Sequence, residues 1–206
     1  MRSHINTSEP IRLVLSGGIG AGKSTVAGML AAKGAHIIRA DEVGHAVLER
    51  GGGAYASVAA RWPGCLVDGR IDRARLAVVV FSDREELAAL EAITHPAIGR
   101  LILSEIETVG DRPIVVEVPV HASFVDPRWV RVLVDAPQEL RLERAVSRGA
   151  DAEDVLRRMA AQPSRSARLQ WADHVIENSG TLGELSRQVE ELWETFVAAA
   201  EAPQTG

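Results

Sequence analysis

The feature that most constrains this chain is a glycine-rich segment at residues 17–24, GGIGAGKS, which satisfies the pattern G-x-x-x-x-G-K-[ST]. It follows a short apolar run at residues 11–16, which predicts a buried strand, and it leads into a helical pattern at residues 24–33. Glycines let consecutive backbone N–H groups turn toward phosphate oxygens, and the N-terminus of a helix adds a positive dipole. This order of elements indicates a phosphate-binding loop, the P-loop, rather than an incidental glycine-rich turn.

The residues of the P-loop have separate predicted roles. The Lys23 ammonium is expected to reach the β- and γ-phosphates of ATP, and the Ser24 hydroxyl is placed to bind Mg²⁺. ATP and Mg²⁺ are therefore the predicted cofactors. The residues of this segment that are predicted to bind the nucleotide are Gly18, Gly20, Ala21, Gly22, Lys23, Ser24 and Thr25.

The kinds of basic residue narrow the class of protein further. Among 23 lysines and arginines only Lys23 and Lys33 are lysines, and neither lies in the Asn-Lys-x-Asp segment with which a GTPase reads guanine. The sequence contains no His-Arg-Asp loop, the segment that would indicate a protein kinase. The formal net charge of -5 argues against a nucleic-acid partner. Because the predicted phosphate ligand is anionic, we expect the positive charge to be concentrated in a substrate cleft.

The rest of the chain alternates between strand and helix signals, which is typical of a parallel α/β sheet. Further strands are predicted at residues 35–40, 113–118, 130–135 and 174–177. One helical pattern occupies residues 42–110, with a break at 62–70. A second occupies residues 137–169, and a last helix begins at Thr181. The predicted fold is a three-layer α/β P-loop NTPase fold in one domain, residues 11–200, with a loose N-terminus at 1–10 and a tail at 201–206.

Several local signals predict where helices begin. Ser82 with Glu85 and Thr181 with Glu184 have the spacing of capping boxes, and Pro96 suits the first turn of a new helix.

The lone cysteine and the hydropathy pattern bear on location. Cys65 has no partner for an intrachain disulfide, which favours a reducing compartment, and we interpret it as a small buried hydrophobic residue. No signal-peptide core or run of about 20 apolar residues is found, so a cytoplasmic protein without a membrane association is expected.

Phosphoryl transfer also needs a carboxylate near the acceptor hydroxyl and cations over the γ-phosphate. Asp41 follows the second strand, at the sheet edge where ligands bind in such folds, although it could equally be the N-cap of a helix beginning at Glu42. Arg144 and Arg148 share a helix face and are candidates to face the phosphates, the alternative being a solvated surface. His95, before a proline, is either a helix-entry residue or a base.

Taken together, these residues resemble the dephospho-coenzyme A kinase family, P-loop kinases of the nucleoside-kinase type, from about residue 11 to residue 196. Single pieces are weak, but their order and spacing are specific. Besides the P-loop with Thr25, the resemblance rests on Ala40-Asp41, Asp68-Gly69 with Arg73 and Leu76, Leu90-Glu91 before Ile93-Thr94-His95-Pro96, Arg144 with Arg148, Gln162, Ala172-Asp173 with Ile176, and Asn178-Ser179-Gly180.

The resemblance implies ATP-dependent phosphorylation of the ribose 3'-hydroxyl of dephospho-CoA, the last step of coenzyme A synthesis, with dephospho-CoA as the small-molecule partner. It implies that Asp41 is the general base, that Arg73 and His95 belong to a helical acceptor-binding subdomain at about residues 42–110, and that the arginine-rich stretch at about 137–169 is a lid. Arg148 would then act on the migrating phosphoryl group, and Asn178 would lie near the adenine. The oligomeric state is not predicted.

Two residues depart from the family pattern. Arg39 stands where an aspartate is usual, and its cation would stabilise the Asp41 carboxylate and weaken it as a base. Ser123 stands where a glutamate is expected, and Glu117 is a candidate to replace that acid. A loose phosphoryl-transfer transition state needs little basicity, so activity can survive. Two alternatives therefore stay open: a kinase for another small acceptor such as a nucleotide, and a nucleotide-binding protein without kinase activity.

Overall fold

A computed structural model describes residues 11–119, 126 and 128–201, with side chains up to residue 197. The predictions for residues 1–10, for Ser123 and for residues 202–206 lie outside the described residues. In chain order the elements are β1 (Arg12–Gly17), α1 (Lys23–Ala32), β2 (His36–Arg39), α2 (Ala40–Ala46), α3 (Tyr55–Arg61), β3 (Leu66–Val67), β4 (Arg70–Ile71), α4 (Arg73–Ser82), α5 (Arg84–Val109), β5 (Ile114–Glu117), β6 (Val130–Asp135), α6 (Gln138–Val146), α7 (Ala152–Ala160), α8 (Arg165–Trp171), β7 (His174–Glu177) and α9 (Leu182–Glu201).

A parallel sheet has β1 at its centre. The strand order is β2-β5-β1-β6-β7, and Leu13 of β1 is opposite Val115 on one side and Val130 on the other. Leu13, Val14 and Leu15 are almost fully buried, as expected for a strand covered on both faces. The predicted α/β class is confirmed, and the predicted strands agree with the observed ones to within two residues at each end.

The last helix packs against the sheet together with α1. One hydrophobic cluster joins Leu30 of α1, Val132 of β6, Ile176 of β7, and Val189 and Phe196 of α9. Burying aliphatic and aromatic side chains in this way is the main stabilising term for such a layer.

The predicted capping box at the start of α9 is confirmed. The Thr181 backbone N–H donates to Glu184 Oε2 at 2.7 Å, and the Glu184 N–H donates to Thr181 Oγ1 at 3.3 Å. The second predicted box is wrong, since Ser82 ends α4 and its hydroxyl donates to the Val79 carbonyl. Asp83 instead accepts from the Glu85 N–H at 2.8 Å, so the aspartate takes the capping role.

The prediction that Pro96 begins a helix is also wrong. Pro96 lies inside the 26-residue helix α5. A proline in a helix interior costs about 3 kcal/mol. Along α5 the side chains of Ala97, Ile98, Ile102 and Ile106 are buried, and this packing outweighs the local penalty.

The described residues divide into two compact units, of which one comprises Arg39–Thr108. The predicted break at residues 62–70 is a short 3₁₀ turn, Pro63–Cys65, followed by the antiparallel hairpin β3-β4. Cys65 is free and buried, as expected from the sequence. The second unit contains the five-stranded sheet and the remaining described helices.

Within the described ranges, no helix is both long and apolar enough to cross a membrane.

Replacement of Phe196 by alanine tests the packing of α9. Phe196 is 2% exposed, and its ring makes an edge-on contact with His174 at a centroid distance of 5.4 Å. We expect Phe196→Ala to lower the free energy of unfolding by about 3–5 kcal/mol, measured by urea titration. Leu182→Ala, at a side chain that is 67% exposed, is the matched control. A loss for Phe196→Ala no larger than that of the control would contradict this packing.

Candidate nucleotide site

The P-loop joins β1 to α1 through a tight backbone turn. The Ala21 N–H donates to the Gly18 carbonyl at 3.1 Å, and α1 begins at Lys23 with Gly22 as its N-cap. Gly20 and Gly22 have φ values of 76° and 97°, in the left-handed region that glycine adopts without strain. The sequence therefore needs glycine at these two positions for backbone reasons alone.

Close packing against the loop leaves no room for side chains. A Cβ atom on Gly20 would lie 2.2 Å from the Arg141 carbonyl oxygen, and one on Gly22 would lie 2.1 Å from Asn178 Nδ2. A Cβ atom on Gly17 would lie 2.6 Å from the Val134 carbonyl oxygen. The loop is thus enclosed by β6, by α6 and by the residue that follows β7.

Lys23 and Ser24 begin α1 and are held by neighbouring oxygens. Lys23 Nζ donates to the Gly17 carbonyl at 3.0 Å, which fixes the ammonium over the loop. Ser24 Oγ donates to Glu117 Oε1 at 3.2 Å, and Glu117 is the last residue of β5. From the sequence, Glu117 is a candidate only to replace a missing acid. The sequence signal for placing Glu117 near the P-loop is that β5 ends at this residue, because the carboxyl ends of neighbouring parallel strands meet at the same edge of the sheet, where ligands bind.

The hydroxyl and carboxylate oxygens of Ser24 and Glu117 are the kind of ligand that Mg²⁺ prefers. In the described part of the chain, no group of three or more histidine, cysteine, aspartate or glutamate side chains could hold a metal ion. Mg²⁺ usually takes one or two protein ligands and completes its shell with phosphate and water oxygens. The residues present fit such a shared site.

A cavity of about 370 Å³ lies beside the P-loop. This volume is within the range of small-molecule sites, about 300–1,000 Å³. Its walls bring together several of the residues that the sequence predicted for nucleotide binding. The lining residues are Gly20, Gly22, Thr25, Arg144, Ser147, Arg148, Asn178, Gly180, Leu182 and Leu185.

The polar residues of this cavity also hold one another and the loop. Arg144 Nη1 donates to the Asn178 carbonyl at 2.8 Å, and Arg148 Nε donates to the Arg144 carbonyl at 2.9 Å. The buried amide of Asn178 donates from Nδ2 to the Ala21 carbonyl at 2.8 Å. Asn178 therefore supports the P-loop as well as lining the cavity.

A second group of polar residues lies behind the loop, and none of them has a role predicted from the sequence, although Gln162 is among the residues that carry the family resemblance. Arg141, which is 4% exposed, donates from Nε to the Ile19 carbonyl at 2.9 Å. Gln162 Oε1 accepts from the Ile19 N–H at 3.3 Å. Local sequence does not distinguish this buried arginine from its exposed neighbours, because all of them lie in one arginine-rich stretch.

Positive charge accumulates in this group around one buried carboxylate. Asp135, 2% exposed at the end of β6, accepts from Arg165 Nε at 2.6 Å, and this hydrogen bond raises the pKa of Arg165. Burial, followed by repulsion from Arg168, lowers the pKa of Arg141, and burial is also the main cause of the lowered pKa of Arg168. Arginine remains charged at neutral pH despite such shifts. Three guanidinium groups therefore act on one aspartate and leave an excess of positive charge.

The remaining predicted site residues lie in the unit Arg39–Thr108. Asp41 is the second residue of α2 and is exposed, and the N-cap of that helix is Arg39. The interpretation of Asp41 as the N-cap is therefore wrong. Arg39 Nη1 pairs with Glu42 Oε1 at 3.8 Å, so the cation that departs from the family pattern has a carboxylate partner next to Asp41.

Arg73 and His95 lie on different helices of this unit. Arg73 is exposed at the first residue of α4, which is capped by Asp72 through the N–H groups of Ala74 and Arg75. His95 is half-buried in the interior of α5, so the interpretation of His95 as a helix-entry residue is wrong.

The fold and this site define the class of the protein. A central parallel strand that runs into a P-loop, with arginine-bearing helices lining the adjacent cavity, is the arrangement of a P-loop kinase. The sequence model of one family, dephospho-CoA kinase, matches residues 11–184. The chain therefore belongs to the dephospho-CoA kinase family.

Individual relatives and solved structures agree with this assignment. The chain is 41% identical to the dephospho-CoA kinase of Thermobifida fusca, covering 89% of this chain and 95% of that protein. It is 39% identical to that of Frankia casuarinae, covering 93% and 86%. The crystal structure of TT1252 from Thermus thermophilus superimposes with a TM-score of 0.81 at 34% identity, covering 91% of this chain and 98% of that one. The dephospho-CoA kinase of Campylobacter jejuni has the same fold, with a TM-score of 0.68 at 22% identity and the same coverage.

Gly22→Ala tests whether the loop conformation is needed for nucleotide binding. A methyl group there is strained by the positive φ and collides with the Asn178 amide. We expect ATP affinity to fall at least about tenfold, since a left-handed residue with a Cβ costs about 1–2 kcal/mol before any collision. Calorimetric titration with Mg·ATP is the measurement.

Gly28→Ala is the control for this substitution. Gly28 is exposed inside α1, and no atom lies within 4 Å of the position of its missing Cβ. The control is expected to keep its ATP affinity and to gain up to about 1 kcal/mol of stability. Equal ATP affinities for the two variants would contradict the role given to the loop.

Proposed function

We propose that the protein transfers the γ-phosphoryl group of ATP to the ribose 3'-hydroxyl of dephospho-CoA, giving coenzyme A and ADP. The observation that carries the proposal is the P-loop with Lys23 and Ser24 in place beside a cavity lined by Arg144 and Arg148. Membership of the dephospho-CoA kinase family supports the choice of acceptor.

On the nucleotide side, the backbone N–H groups at the start of α1 and the Lys23 ammonium would hold the β- and γ-phosphates. The cavity beside the loop would take the adenosine, with Asn178 near the base and Arg144 and Thr25 along its walls. Arg148, an exposed residue that lines the same cavity, would neutralise the migrating phosphoryl group.

Mg²⁺ would be held by Ser24, with Glu117 accepting from the Ser24 hydroxyl and so orienting it. When bound, the ion neutralises charge on the phosphate oxygens. Ser24 and Glu117 would thus position the ion, and with it the phosphates, between the start of α1 and the end of β5.

On the acceptor side, Asp41 would orient and deprotonate the 3'-hydroxyl. The hydroxyl oxygen bonds to the γ-phosphorus, the bond from that phosphorus to the β,γ-bridging oxygen breaks, and the proton passes to Asp41 as ADP leaves. Asp41 lies two residues beyond the carboxyl end of β2, where ligands bind in α/β sheets, which supports this role. Arg73 and His95, from the unit that also holds Asp41, would bind the anionic acceptor.

Lys23→Ala and Asp41→Asn test the two sides of this assignment. We expect each to reduce turnover by about 100-fold or more, because each removes a group that acts on the reacting atoms. Steady-state rates with Mg·ATP and dephospho-CoA are measured together with thermal unfolding, which should be unchanged. Lys33→Ala and the exposed Asp111→Asn are the controls. Near-wild-type turnover of Asp41→Asn would exclude it as the base.

The acceptor is tested by one incubation series. The pure protein is given Mg·ATP with dephospho-CoA, and then with nucleoside monophosphates, and both ADP and the product mass are measured. Phosphorylation of dephospho-CoA is the expected result. Phosphorylation of only the monophosphates would favour another kinase, and tight ATP binding with no phosphorylated acceptor would favour a nucleotide-binding protein.

Glu117→Gln tests the magnesium site. The substitution keeps the shape of the side chain but removes its charge beside Ser24. We expect the Mg²⁺ concentration for half-maximal activity to rise by roughly tenfold, as is common when a residue supporting a metal ligand is changed. The exposed Glu194→Gln is the control. An unchanged Mg²⁺ dependence would remove Glu117 from the site.

A further inference from the structure

Ile19, in the middle of the P-loop, is held at three points by residues far along the chain. Its side chain packs against the apolar cluster of Ala145, Val155 and Met159, on α6 and α7. Its N–H and its carbonyl are bound by the side chains of Gln162 and Arg141. The loop is therefore fastened to the arginine-rich segment both by apolar packing and by hydrogen bonds.

The two polar contacts form a closed arrangement around the Ile19 backbone. Arg141 Nε donates to the Ile19 carbonyl at 2.9 Å, and Gln162 Oε1 accepts from the Ile19 N–H at 3.3 Å. Arg141 Nη2 also donates to Gln162 Oε1, at 3.4 Å. Each side chain thus orients the other as well as the loop.

Arg141 also lies directly against the neighbouring glycines. A Cβ atom on Gly18 would be 2.5 Å from Arg141 Nη2, and one on Gly20 would be 2.2 Å from the Arg141 carbonyl oxygen. Because Arg141 is only 4% exposed, it supports the loop from behind and does not face a ligand in solvent.

We propose that Arg141 is a positioning residue which, with Gln162, clamps the Ile19 backbone and thereby fixes the P-loop in its phosphate-binding conformation before ATP arrives. The inference rests on the proposed binding of ATP by this loop. The Ile19 N–H is occupied by Gln162, so the phosphates would be bound by the N–H groups that follow it. Holding these donors in place in advance reduces the entropy lost on binding.

The chemistry of arginine suits this position. Its planar guanidinium presents several donors in a fixed geometry, so one side chain can bond to the Ile19 carbonyl and to Gln162 at once. Its buried charge is offset in part by Asp135 and adds positive potential behind the loop. A lysine would keep the charge, but its compact ammonium lacks the planar set of donors that the guanidinium presents.

The test compares Arg141→Met, Arg141→Lys, Gln162→Ala and the double variant Arg141→Met/Gln162→Ala with the wild type. Mg·ATP affinity is measured by calorimetry, and KM is measured separately for ATP and for dephospho-CoA. We expect Arg141→Met and Gln162→Ala each to weaken ATP binding by about tenfold, as for the loss of a buried hydrogen bond to a charged or backbone group. The KM for dephospho-CoA should stay within about twofold while the KM for ATP rises, whereas a general loss of folding would lower the apparent kcat and leave both KM values unchanged.

Two further comparisons separate a clamp from a structural role. The double variant should be no more than about threefold weaker than the poorer single variant, because both side chains act through the same backbone group. Arg141→Lys should recover part of the affinity that Arg141→Met loses. Arg157→Met, at an exposed arginine of α7 that pairs with Asp154, should bind ATP as the wild type does.

Three results would overturn the inference. One is unchanged ATP affinity in Gln162→Ala, which remains informative if Arg141→Met fails to fold. Another is a parallel rise in the KM values for ATP and dephospho-CoA, and the third is fully multiplicative losses in the double variant. Failure of the wild type itself to bind Mg·ATP would instead contradict the proposed function, and the inference with it, so the two failures are distinguished by the wild-type titration.

Discussion

The structure depends on one close approach, that of the P-loop backbone to the elements that enclose it. The loop leaves β1, the central and most buried strand, and turns through Gly20 and Gly22 at positive φ before α1 begins. No side chain fits at Gly17, Gly20 or Gly22, because β6, α6 and Asn178 already occupy the space. A loop in this conformation can present its N–H groups to a ligand on one side when its opposite side is held in place. Here β6, α6 and Asn178, which pack against the glycines, hold that opposite side.

Much of the fold could be predicted from the sequence because buried parallel strands are continuous apolar runs. The predicted and observed bounds coincide for β6 and for β7, and the capping box at Thr181 correctly predicted the start of α9. The failures lie where tertiary packing outweighs local preference. Pro96 suggests a helix start, yet α5 continues through it because the buried side chains beyond Pro96 need one continuous helix.

The site residues also fall into two groups, those that a local sequence motif predicts and those that only long-range contacts in the fold bring together. The P-loop residues form a contiguous motif, so the sequence predicts them and the chemistry of Lys23 and Ser24 together. Arg141 and Gln162 contact Ile19 across 122 and 143 residues, and no local pattern reports such a contact. Arg141, Arg144 and Arg148 lie on or directly after α6, but only the fold shows that the first is buried and the last is exposed.

The scarcity of lysine acquires a physical meaning in this setting. Lys23 presents a compact ammonium that donates to the Gly17 carbonyl of the loop, and in the proposed function this point charge would follow the phosphates. Behind the loop, arginine forks hold fixed backbone groups and surround Asp135, a task that needs planar geometry and several donors. A chain with a net charge of -5 can therefore serve anionic substrates, because several of its cations, among them Lys23, Arg141, Arg144 and Arg148, lie at or beside one loop.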